Sequence, residues 1–377
     1  MHSFVFSEKT KLISGAGSLS FVGKELAQRG IFRALILTDS FLGQSDIVKR
    51  LEQILNVSQI QTILDTSVKP NPRDVDCEAT ALLAQQFQAQ AIVALGGGSS
   101  MDQGKAAAVL CTNHGSIQDY EERDLPCAPL PLFCIPTTAG TGSEVTYVAV
   151  ITDTKRRFKM SILDSDKLYP TVAICDPELT LSLPKGLTAS CGMDTLTHAI
   201  EAFTAKERNP FSDALALEAT KLVGDYLLTA YENGYNLEAR EKMLIASSMA
   251  GMAFINSNVG AVHAIAETIG AWYDIPHGVA NSIFLPYIVE FNQLTCAERY
   301  QKLAHCLRTE NLVQKIREMN RTLSIPLYNK LEKVCIEDIP MLAQKAEKNS
   351  LSLSNVRTIT AEDYQHILQK AYGETEW

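Results

Sequence analysis

Two apolar runs in the first hundred residues constrain the fold more than any other feature. FRALILTD at 32–39 and AQAIVALG at 89–96 are each of strand length, and neither alternates regularly between apolar and polar residues. Strands of this kind are buried on both faces, which is typical of a parallel sheet covered by helices. Segments with helical spacing separate and follow the two runs. The first half of the chain is therefore predicted to be an α/β domain with a parallel sheet.

The remaining elements follow from helical spacing and from turn residues. From Pro184 onward, apolar residues recur at intervals of three and four, which predicts an all-helical second half. A length of 377 residues also favours two domains. Before residue 89, the sequence predicts a strand pair over 4–17, helices over 18–30, 45–55 and 75–88, and a weak strand near Gln61.

The composition narrows the range of partners and compartments. Acidic residues outnumber basic ones by 43 to 34 and no basic run occurs, so we expect neither a nucleic-acid nor a membrane partner. The N-terminal stretch MHSFVFSEKTK is too polar for a signal peptide, and no apolar run has the length of a membrane span. Nine scattered cysteines without a C-x-x-C pair are typical of free thiols in a reducing compartment. These features predict a cytoplasmic protein.

The stretch CGMDTLTHAIEAFT at 191–204 has the pattern with the most chemical content. Asp194 and His198 lie four residues apart in a segment with helical spacing, so their side chains project from one face. Downstream, GAVHAIAETIGAWYDIPHG supplies His263 and, just before a glycine, His277. One carboxylate and three imidazoles would suit Fe(II), Zn(II) or Mn(II). A single histidine of this kind would be interpreted as a core residue, but three of the seven in two apolar segments favour a metal site.

Two loops of small residues are candidates for cofactor binding. GGGS at 96–99 joins an apolar strand to a helix, where backbone N–H groups and the helix N-terminus favour a phosphate. A tight turn alone is the alternative there. PTTAGTGSEVT at 136–146 contains Thr137, Thr138 and Thr141, and it would suit a pyrophosphate or a nicotinamide ribose. A linker is the alternative for this loop, although the apolar stretches LPLFCI and VAVITD on its two sides place it inside a folded domain.

Asp39 closes the apolar run at 32–39. An acidic side chain at the end of such a strand can hold the ribose hydroxyls of NAD. The glycine loop follows Asp39 along the chain, however, so the order differs from the usual G-x-G-x-x-G fingerprint. A helix N-cap is an equally good interpretation of the same aspartate.

Six motifs stand in one order along the chain. They are GGGSSMDQGK at 96–105, PTTAGTGSE at 136–144, DPELT at 176–180, GMDTLTHAIEA at 192–202, NPFSDALALEA at 209–219 and PHGVAN at 276–281. Together they resemble the iron-containing, or group III, alcohol dehydrogenase family. The resemblance is dense up to about residue 295 and looser beyond it. It implies a dinucleotide-binding α/β domain with a Rossmann-like parallel sheet over 1–182 and an all-α, metal-binding domain over 183–377. This architecture is related to that of dehydroquinate synthase.

The resemblance also implies roles for individual residues. It places the metal ligands on the same four residues that the spacing favours, Asp194, His198, His263 and His277. From the sequence alone, the lysine in RRFKMSI would be only a charge at the end of a strand. The resemblance nevertheless implies cofactor contacts at Asp39, Gly97, Gly98, Ser99, Thr137, Thr138 and Lys159, with Thr141 in the same loop as the two threonines.

The chain departs from the family pattern near the third metal ligand. Four residues after His263, where the family commonly has a second histidine, this sequence has Glu267. One helical turn would place its side chain on the ligand face. We therefore assign catalytic roles to Glu267 and His277. For Glu267, three arrangements are open: ligation of the metal, proton relay in the protonated form, and an ion pair directed away from the site.

The combined prediction is a metal-dependent, NAD(H)-linked alcohol dehydrogenase, or an aldehyde reductase in the opposite direction. The expected metal is Fe(II), with Zn(II) or Mn(II) as alternatives, and it would act as a Lewis acid. The expected substrate is a short primary alcohol or a small functionalised aldehyde, and the expected assembly is a homo-oligomer, a dimer or larger. The alternatives are a polyol (glycerol-type) dehydrogenase of the same superfamily and a non-catalytic metal- and nucleotide-binding protein.

Overall fold

The computed structural model describes residues 3–156 and 158–377 of the chain. These residues form two compact units, called the α/β unit and the helical unit below. The α/β unit comprises residues 7–138 and 142–182. The helical unit comprises residues 183–377, the short segment Ala139–Thr141 and the first residues up to Phe6.

A parallel sheet forms the centre of the α/β unit. The described strands are β1 (Lys11–Ser14), β2 (Arg33–Asp39), β3 (Gln61–Val68), β4 (Ala91–Gly96), β5 (Leu132–Pro136), β6 (Val148–Asp153), β7 (Phe158–Leu163) and β8 (Val172–Cys175). Six of them form one sheet in the spatial order β1, β8, β5, β4, β2, β3, and every pairing in it is parallel. Strands β6 and β7 form a separate antiparallel pair. The predicted parallel sheet is confirmed.

Helices on both faces of the sheet explain the uniformly apolar strands. The helices of this unit are α1 (Val22–Ala27), α2 (Asp46–Val57), α3 (Asp74–Gln86) and α4 (Gly98–Thr112). Alternate residues of a strand point to opposite faces. In β2, Ala34 and Ile36 share an apolar cluster with α1 and α2, whereas Leu35 and Leu37 share another with α3 and α4. Because both faces are covered, both sets of positions are mainly apolar.

The first helical segment is shorter than predicted. A 3-10 turn over Ser18–Phe21 precedes α1, and the α-helix itself ends at Ala27. Gly30 follows with a φ of 70°. This left-handed conformation is common just after helix ends and suits glycine, which has no Cβ.

The predicted strand pair over residues 4–17 is wrong. In this range only Lys11–Ser14 is a strand, and it pairs in parallel with β8 rather than with a neighbour along the chain. The aromatic residues before it have other partners. The ring centroids of Phe4 and Phe6 lie 6.0 and 5.3 Å from that of Phe211 in the helical unit. Apolar residues at alternate positions reflect this aromatic contact and not a strand.

The second unit is helical, as the sequence predicts. Its helices are α5 (Lys185–Thr204), α6 (Pro210–Glu232), α7 (Leu237–Ile255), α8 (Ala261–Tyr273), α9 (His277–Cys306), α10 (Leu312–Thr322), α11 (Ile339–Lys348) and α12 (Ala361–Gly373). Together the two units confirm the predicted α/β and all-α fold class. Within the described ranges, no helix combines the length and the apolar character that crossing a membrane requires.

Helix α5 is the centre of the helical unit. From Thr188 to Thr204 almost every side chain is buried, because α6, α7 and α9 all pack against this helix. The segment Ala139–Thr141 also lies on it. A Cβ at Gly140 would be 2.9 Å from Cys191 Cβ, and Thr195 Oγ1 donates to Ala139 O at 3.2 Å. The most buried helix of the unit is therefore the one that carries Asp194 and His198.

Candidate metal centre and cofactor site

Four possible metal ligands converge in the helical unit. They are Asp194 and His198 on α5, His263 on α8 and His277 at the start of α9, and each offers one ligand atom within 4.8 Å of the other three. The first three side chains are buried, whereas His277 is partly exposed. The cluster is therefore enclosed by protein except on the side of His277.

A glycine explains how closely α9 approaches α5. Helix α9 packs against both α5 and α8. A Cβ at Gly278, the second residue of α9, would lie 2.6 Å from Ser190 O and 3.4 Å from Asp194 Cβ. Without a side chain there, the start of α9 rests directly on α5. His277 Nε2 consequently lies 3.8 Å from Asp194 Oδ1.

The surroundings of Asp194 and His198 favour the protonation states that a metal requires. Burial lowers the pKa of His198 to about 4, so its imidazole is neutral at neutral pH. Burial raises the pKa of Asp194, but the three nearby histidines and a hydrogen bond from Asn281 outweigh this and hold it below the usual range. A neutral imidazole and an ionised carboxylate both offer lone pairs to a cation.

Asn281 marks the point on which these lone pairs converge. Its Nδ2 donates to Asp194 Oδ1 at 2.7 Å and lies 3.2 Å from His263 Nε2 and 3.1 Å from His277 Nε2. An amide NH₂ group has two hydrogens and cannot satisfy three acceptors. Among the described residues, Asn281 Oδ1 is buried without a hydrogen-bond partner. Three acceptor atoms thus point to one place that a single amide donor cannot satisfy, and a cation would be favoured there. The residues present therefore fit a divalent metal.

The candidate cofactor residues of the α/β unit gather at one edge of the sheet. Strands β2, β4 and β5 are neighbours, and their carboxyl ends carry Asp39, the GGGS turn at 96–99 and Thr137–Thr138. Thr137 N donates to Gly96 O at 2.9 Å. A Cβ at Gly97 would lie 3.4 Å from Thr138 Oγ1. The carboxyl edge of a parallel sheet is where ligands bind in open α/β folds.

The glycines of the GGGS turn determine how β4 ends and how α4 begins. Gly96 ends β4 with a φ of 145°, and a Cβ at this position would lie 2.3 Å from Ser100 Oγ. No other residue type fits both the angle and the space. Gly97 occupies the N-cap of α4 and has no side chain to cap it. The first N–H groups of α4 are therefore available to an anion.

Asp39 is both a cap and a possible ribose ligand. Its Oδ1 accepts hydrogen bonds from the backbone N–H groups of Phe41 and Leu42, at 2.8 and 2.9 Å. These bonds hold the 3-10 turn Leu42–Gln44 that follows β2. Since both bonds use Oδ1, the geometry permits Oδ2 to accept from a ribose hydroxyl. The two interpretations of Asp39 from the sequence are thus compatible.

Comparison with known proteins identifies the family. The family model of the iron-containing alcohol dehydrogenases matches residues 9–177. A second family model, described as Fe-containing alcohol dehydrogenase family, C-terminal, matches residues 188–372. The chain is also 37% identical to the NAD-dependent methanol dehydrogenase of Bacillus methanolicus over 371 residues, covering 95% of this chain and 97% of the relative. The chain belongs to the iron-containing alcohol dehydrogenase family.

Solved structures of the same family superimpose over nearly the whole chain. A 1,3-propanediol oxidoreductase has a TM-score of 0.94 and 33% identity, covering 98% of this chain and 100% of the other. A sulfoacetaldehyde reductase from Bifidobacterium kashiwanohense in complex with NAD⁺ has a TM-score of 0.93 and 32% identity, covering all of both chains. Identity above 30% together with this overlap is agreement in sequence as well as in fold.

Membership of the iron-containing alcohol dehydrogenases confirms several predictions from the sequence. The predicted family, fold class and enzyme type, an oxidoreductase of the alcohol dehydrogenase kind, are confirmed. The predicted cofactors, NAD(H) and a divalent metal, are supported by the family, by the NAD⁺ in a related structure and by the Asp–His cluster of this chain.

Glu267 lies outside the four-residue cluster. It is half-buried on α8, and its Oε2 accepts a hydrogen bond from Asn349 Nδ2 at 2.8 Å. Asn349 in turn caps the 3-10 turn Ser350–Ser354 by accepting from Leu351 N. The carboxylate of Glu267 therefore has a neutral partner. Its charge still contributes to the raised pKa of His263.

Lys159 and Thr141 belong to other elements than the GGGS turn. Lys159 is half-buried on β7, and its Nζ donates to Asn71 Oδ1 at 3.0 Å. Its charge also interacts with Asp102 in the first turns of α4. Burial raises the pKa of Asp102, and Lys159 is one of the groups that oppose this rise. Thr141 belongs to the segment that lies on α5, whereas Thr137 and Thr138 belong to the α/β unit.

Two further contacts of the histidines were not predicted from the sequence. Glu201 Oε2 lies 2.5 Å from His263 Nδ1, and the ring of Phe254 on α7 stacks on that of His198 with centroids 4.5 Å apart. Burial lowers the pKa of His263, but the hydrogen bond to Glu201 and its charge outweigh this and raise it. Glu201 follows His198 by three residues on the same helix face, a spacing that could have indicated it.

Proposed function

We propose that this protein is a metal-dependent, NAD(H)-linked alcohol dehydrogenase that acts on a short primary alcohol or, in the reverse direction, on a small functionalised aldehyde. The convergence of one carboxylate and three imidazoles in a member of the iron-containing alcohol dehydrogenase family carries this proposal. We propose Fe(II) as the metal, with Zn(II) or Mn(II) as alternatives, because oxygen and imidazole ligands suit all three.

The metal site belongs to the helical unit in this proposal. Asp194, His198, His263 and His277 would hold the cation, which supplies Lewis-acid polarisation of the substrate oxygen when bound. Asp194 is ionised and His198 neutral without any help from the cation, so neither must lose a proton to bind it. His277, the partly exposed member, lies on the side from which substrate would enter, and we assign it to the catalytic residues for that reason.

The cofactor site belongs to the carboxyl edge of the sheet in this proposal. NAD(H) would supply the hydride-exchanging nicotinamide, and we propose residues 1–182 as its domain and 183–377 as the metal domain. The bare N-terminus of α4 would bind the pyrophosphate and Oδ2 of Asp39 the ribose. The proposed contacts are Asp39, Gly97, Gly98, Ser99, Thr137, Thr138, Thr141 and Lys159.

The nature of the substrate follows from the relatives and from Glu267. The similar proteins named above include a methanol dehydrogenase, a 1,3-propanediol oxidoreductase and a sulfoacetaldehyde reductase, which are all named for small substrates. In this chain, Glu267 places a carboxylate one helical turn from His263. A second negative charge near Asp194 disfavours an anionic substrate. We therefore propose a small, uncharged alcohol or aldehyde.

An activity panel tests this proposal directly. Protein loaded with Fe(II) without oxygen, or with Zn(II), is assayed by NADH absorbance with ethanol, 1-propanol, 1,3-propanediol and glycerol, and with the matching aldehydes. Turnover of the primary alcohols and their aldehydes is the expected result. A clear preference for glycerol would identify a polyol dehydrogenase instead. If metal-loaded protein that binds NADH turns over none of the compounds, the proposed activity is wrong.

We propose further that the protein is a cytoplasmic homo-oligomer. The nine cysteines form no disulfide among the described residues, which suits a reducing compartment. Phe41 and Leu294 are 80% and 91% exposed, and we propose that side chains of this kind contribute to contacts between subunits. Light scattering of the purified protein and fractionation of cells that produce it test the two statements. A monomeric mass would contradict the first, and recovery outside the cytoplasm the second.

A further inference from the structure

Helix α8 begins without a side-chain cap of its own. Its N-cap position is Gly260, which makes no side-chain hydrogen bond. The first N–H groups of a helix have no partner within the helix. One of them, that of Val262, donates to Glu201 Oε1 on α5 at 2.7 Å. Glu201 thus takes the place of the missing cap and puts a negative charge at the positive end of α8.

The other oxygen of the same carboxylate contacts a histidine of the metal cluster. His263 Nδ1 lies 2.5 Å from Glu201 Oε2. Because a carboxylate only accepts hydrogen bonds, the hydrogen is on Nδ1. The lone pair is then on Nε2, which is the nitrogen that faces Asn281 in the cluster. Glu201 therefore selects the tautomer of His263 that can bind a cation.

The space around Glu201 allows little other arrangement. The side chain is almost completely buried, and a Cβ at Gly260 would lie 3.1 Å from Glu201 Oε1 and 3.2 Å from Asn355 Oδ1. Glycine at this position lets the backbone at the start of α8 approach the carboxylate closely. The start of the helix and the orientation of the His263 ring are consequently fixed by one rigid group.

We propose that Glu201 is a positioning residue of the metal centre, whose two oxygens hold the N-terminus of α8 and the His263 ring in one arrangement. The inference about Glu201 depends on one part of the proposed function, namely that the cluster binds a metal. A carboxylate that accepts from a ligating histidine orients the ring and increases its basicity. Through Glu201, the ligand geometry depends on the packing of α5 against the start of α8.

Substitution of Glu201 by its amide tests this role. Glu201→Gln keeps the size of the side chain but leaves only one acceptor oxygen. Its NH₂ group then faces either Val262 N–H or His263 Nδ1–H, so that one of these two hydrogen bonds is lost. Zn(II) affinity, measured by competition with a coloured chelator, should fall roughly 10- to 100-fold. The absorption spectrum of the Co(II)-saturated variant should also differ from that of the wild type. A purely structural role would leave this spectrum unchanged.

Thr204→Val is the matched control. Thr204 is buried on the same helix, and its hydroxyl donates to Ile200 O of that helix at 2.9 Å. This variant should keep the affinity and the spectrum of the wild type. The same result in Glu201→Gln would overturn the inference about Glu201. A wild-type protein that binds no stoichiometric metal would overturn the proposed function instead.

A measurement on the wild-type protein decides the matter if Glu201→Gln does not fold. Isotope labelling of the histidines should reveal, in zinc-loaded protein, a proton on an imidazole Nδ1 that resonates far downfield and exchanges slowly. Such a signal is expected from the short, buried bond between His263 and Glu201. The absence of this proton would contradict the proposal, since Glu201 must accept it.

Discussion

Individual side chains of the metal cluster owe their protonation states to different surroundings. Burial, assisted by the charge of His263, lowers the pKa of His198 to about 4 and keeps it neutral. Asp194 remains ionised in spite of burial, because the nearby histidines and Asn281 stabilise its charge. His263 is held in one tautomer by Glu201. Each residue is thus prepared for the metal by its own contacts, so that substitution of a ligand and of its partner should have different effects.

Loss of one ligand should strongly reduce metal occupancy. In His263→Ala and in His277→Ala, one of the four donors is lost, so the affinity for the cation should fall. Elemental analysis of the purified variants should give much less than one metal per chain. His305→Ala, which removes an exposed histidine of α9, should keep wild-type occupancy. Stoichiometric metal in both cluster variants would mean that the site is not composed of these residues.

The charge of Asp39 should set the preference for NAD over NADP. A carboxylate accepts from a ribose 2′-hydroxyl but repels a 2′-phosphate. Asp39→Asn removes the charge yet keeps an oxygen for Phe41 N and Leu42 N, whereas Asp39→Gly removes both. Activity with NADPH relative to NADH should rise in both variants, and thermal stability should fall mainly in the glycine variant. An unchanged cofactor ratio in both would show that Asp39 is only a cap.

Glu267 should shape the response to substrate charge and to pH. Glu267→Gln removes a negative charge near the ligand helix but can still accept from Asn349. Turnover of sulfoacetaldehyde relative to propanal should rise in this variant, because a repulsion is lost. Glu267→His, which restores the residue common in the family, should alter the pH profile of turnover.

A control separates the charge of Glu267 from its hydrogen bond. Asn349→Ala keeps the carboxylate but removes its partner, so the substrate ranking should remain that of the wild type while the 3-10 turn at Ser350–Ser354 loosens. If Glu267→Gln and Glu267→His both keep the wild-type rate, pH profile and ranking, Glu267 has no part in the chemistry.

The sequence indicates ligands more readily than their supports. Asp194 and His198 share a helix at a spacing that one can recognise, and imidazoles are rare enough for His263 and His277 to stand out. The contact between Glu201 and His263 joins residues 62 positions apart on two helices. The spacing places Glu201 on the same helix face as His198, but it does not specify the contact with His263, because that depends on how the helices pack.

At the scale of elements, close helix contacts decide the geometry of the site. The start of α9 lies on α5 only because Gly278 has no side chain. The same contact brings His277 to Asp194. The sequence predicts a glycine after a histidine but cannot tell which helix the glycine approaches. Packing of this kind links a change in the backbone to the metal site.

Gly278→Ala should therefore weaken metal binding as well as stability. The added methyl group would lie 2.6 Å from Ser190 O, a backbone atom that cannot move aside cheaply. We expect a loss of about 1–3 kcal/mol in the free energy of unfolding, as for other overpacked sites, and a lower Zn(II) affinity. The control is Gly186→Ala on α5, where nothing lies within 4 Å of the new Cβ. This substitution should leave the stability unchanged or increase it. Wild-type affinity in Gly278→Ala would show that the contact does not position His277.

Elements were predictable wherever their own residues determine them. The buried centres of strands β2 and β4 are apolar on both faces because each face has its own helices. The prediction of a strand pair over residues 4–17 is wrong because Phe4 and Phe6 pack on Phe211, about 200 positions away, and not on a partner strand. Apolar residues at every second position are evidence for a strand only if the apolar face packs within a sheet. The sequence alone does not show what that face packs against.

At the scale of the whole molecule, the two units have separate apolar cores. One cluster of buried side chains extends through the helical unit, and two others lie on the two faces of the sheet. All four metal-cluster residues belong to the helical unit, whereas Asp39 and the GGGS turn belong to the α/β unit. Each ligand should thus stabilise mainly the unit that holds it, because stabilisation by binding acts on the structure that forms the site.

Removal of the metal should therefore change hydrogen exchange in one unit more than in the other. With a chelator present, amides of α5, the first turns of α8 and the start of α9 should exchange faster, whereas β2 and β4 should change little. Adding NADH to metal-free protein should instead protect the GGGS turn and the start of α4. A metal at a hundred times its dissociation constant adds about 2.7 kcal/mol to the stability of the structure that binds it, a difference that exchange rates resolve easily. Equal changes throughout both units on chelation would contradict the assignment of the metal to the helical unit alone, because a site formed by one core cannot stabilise the other to the same extent.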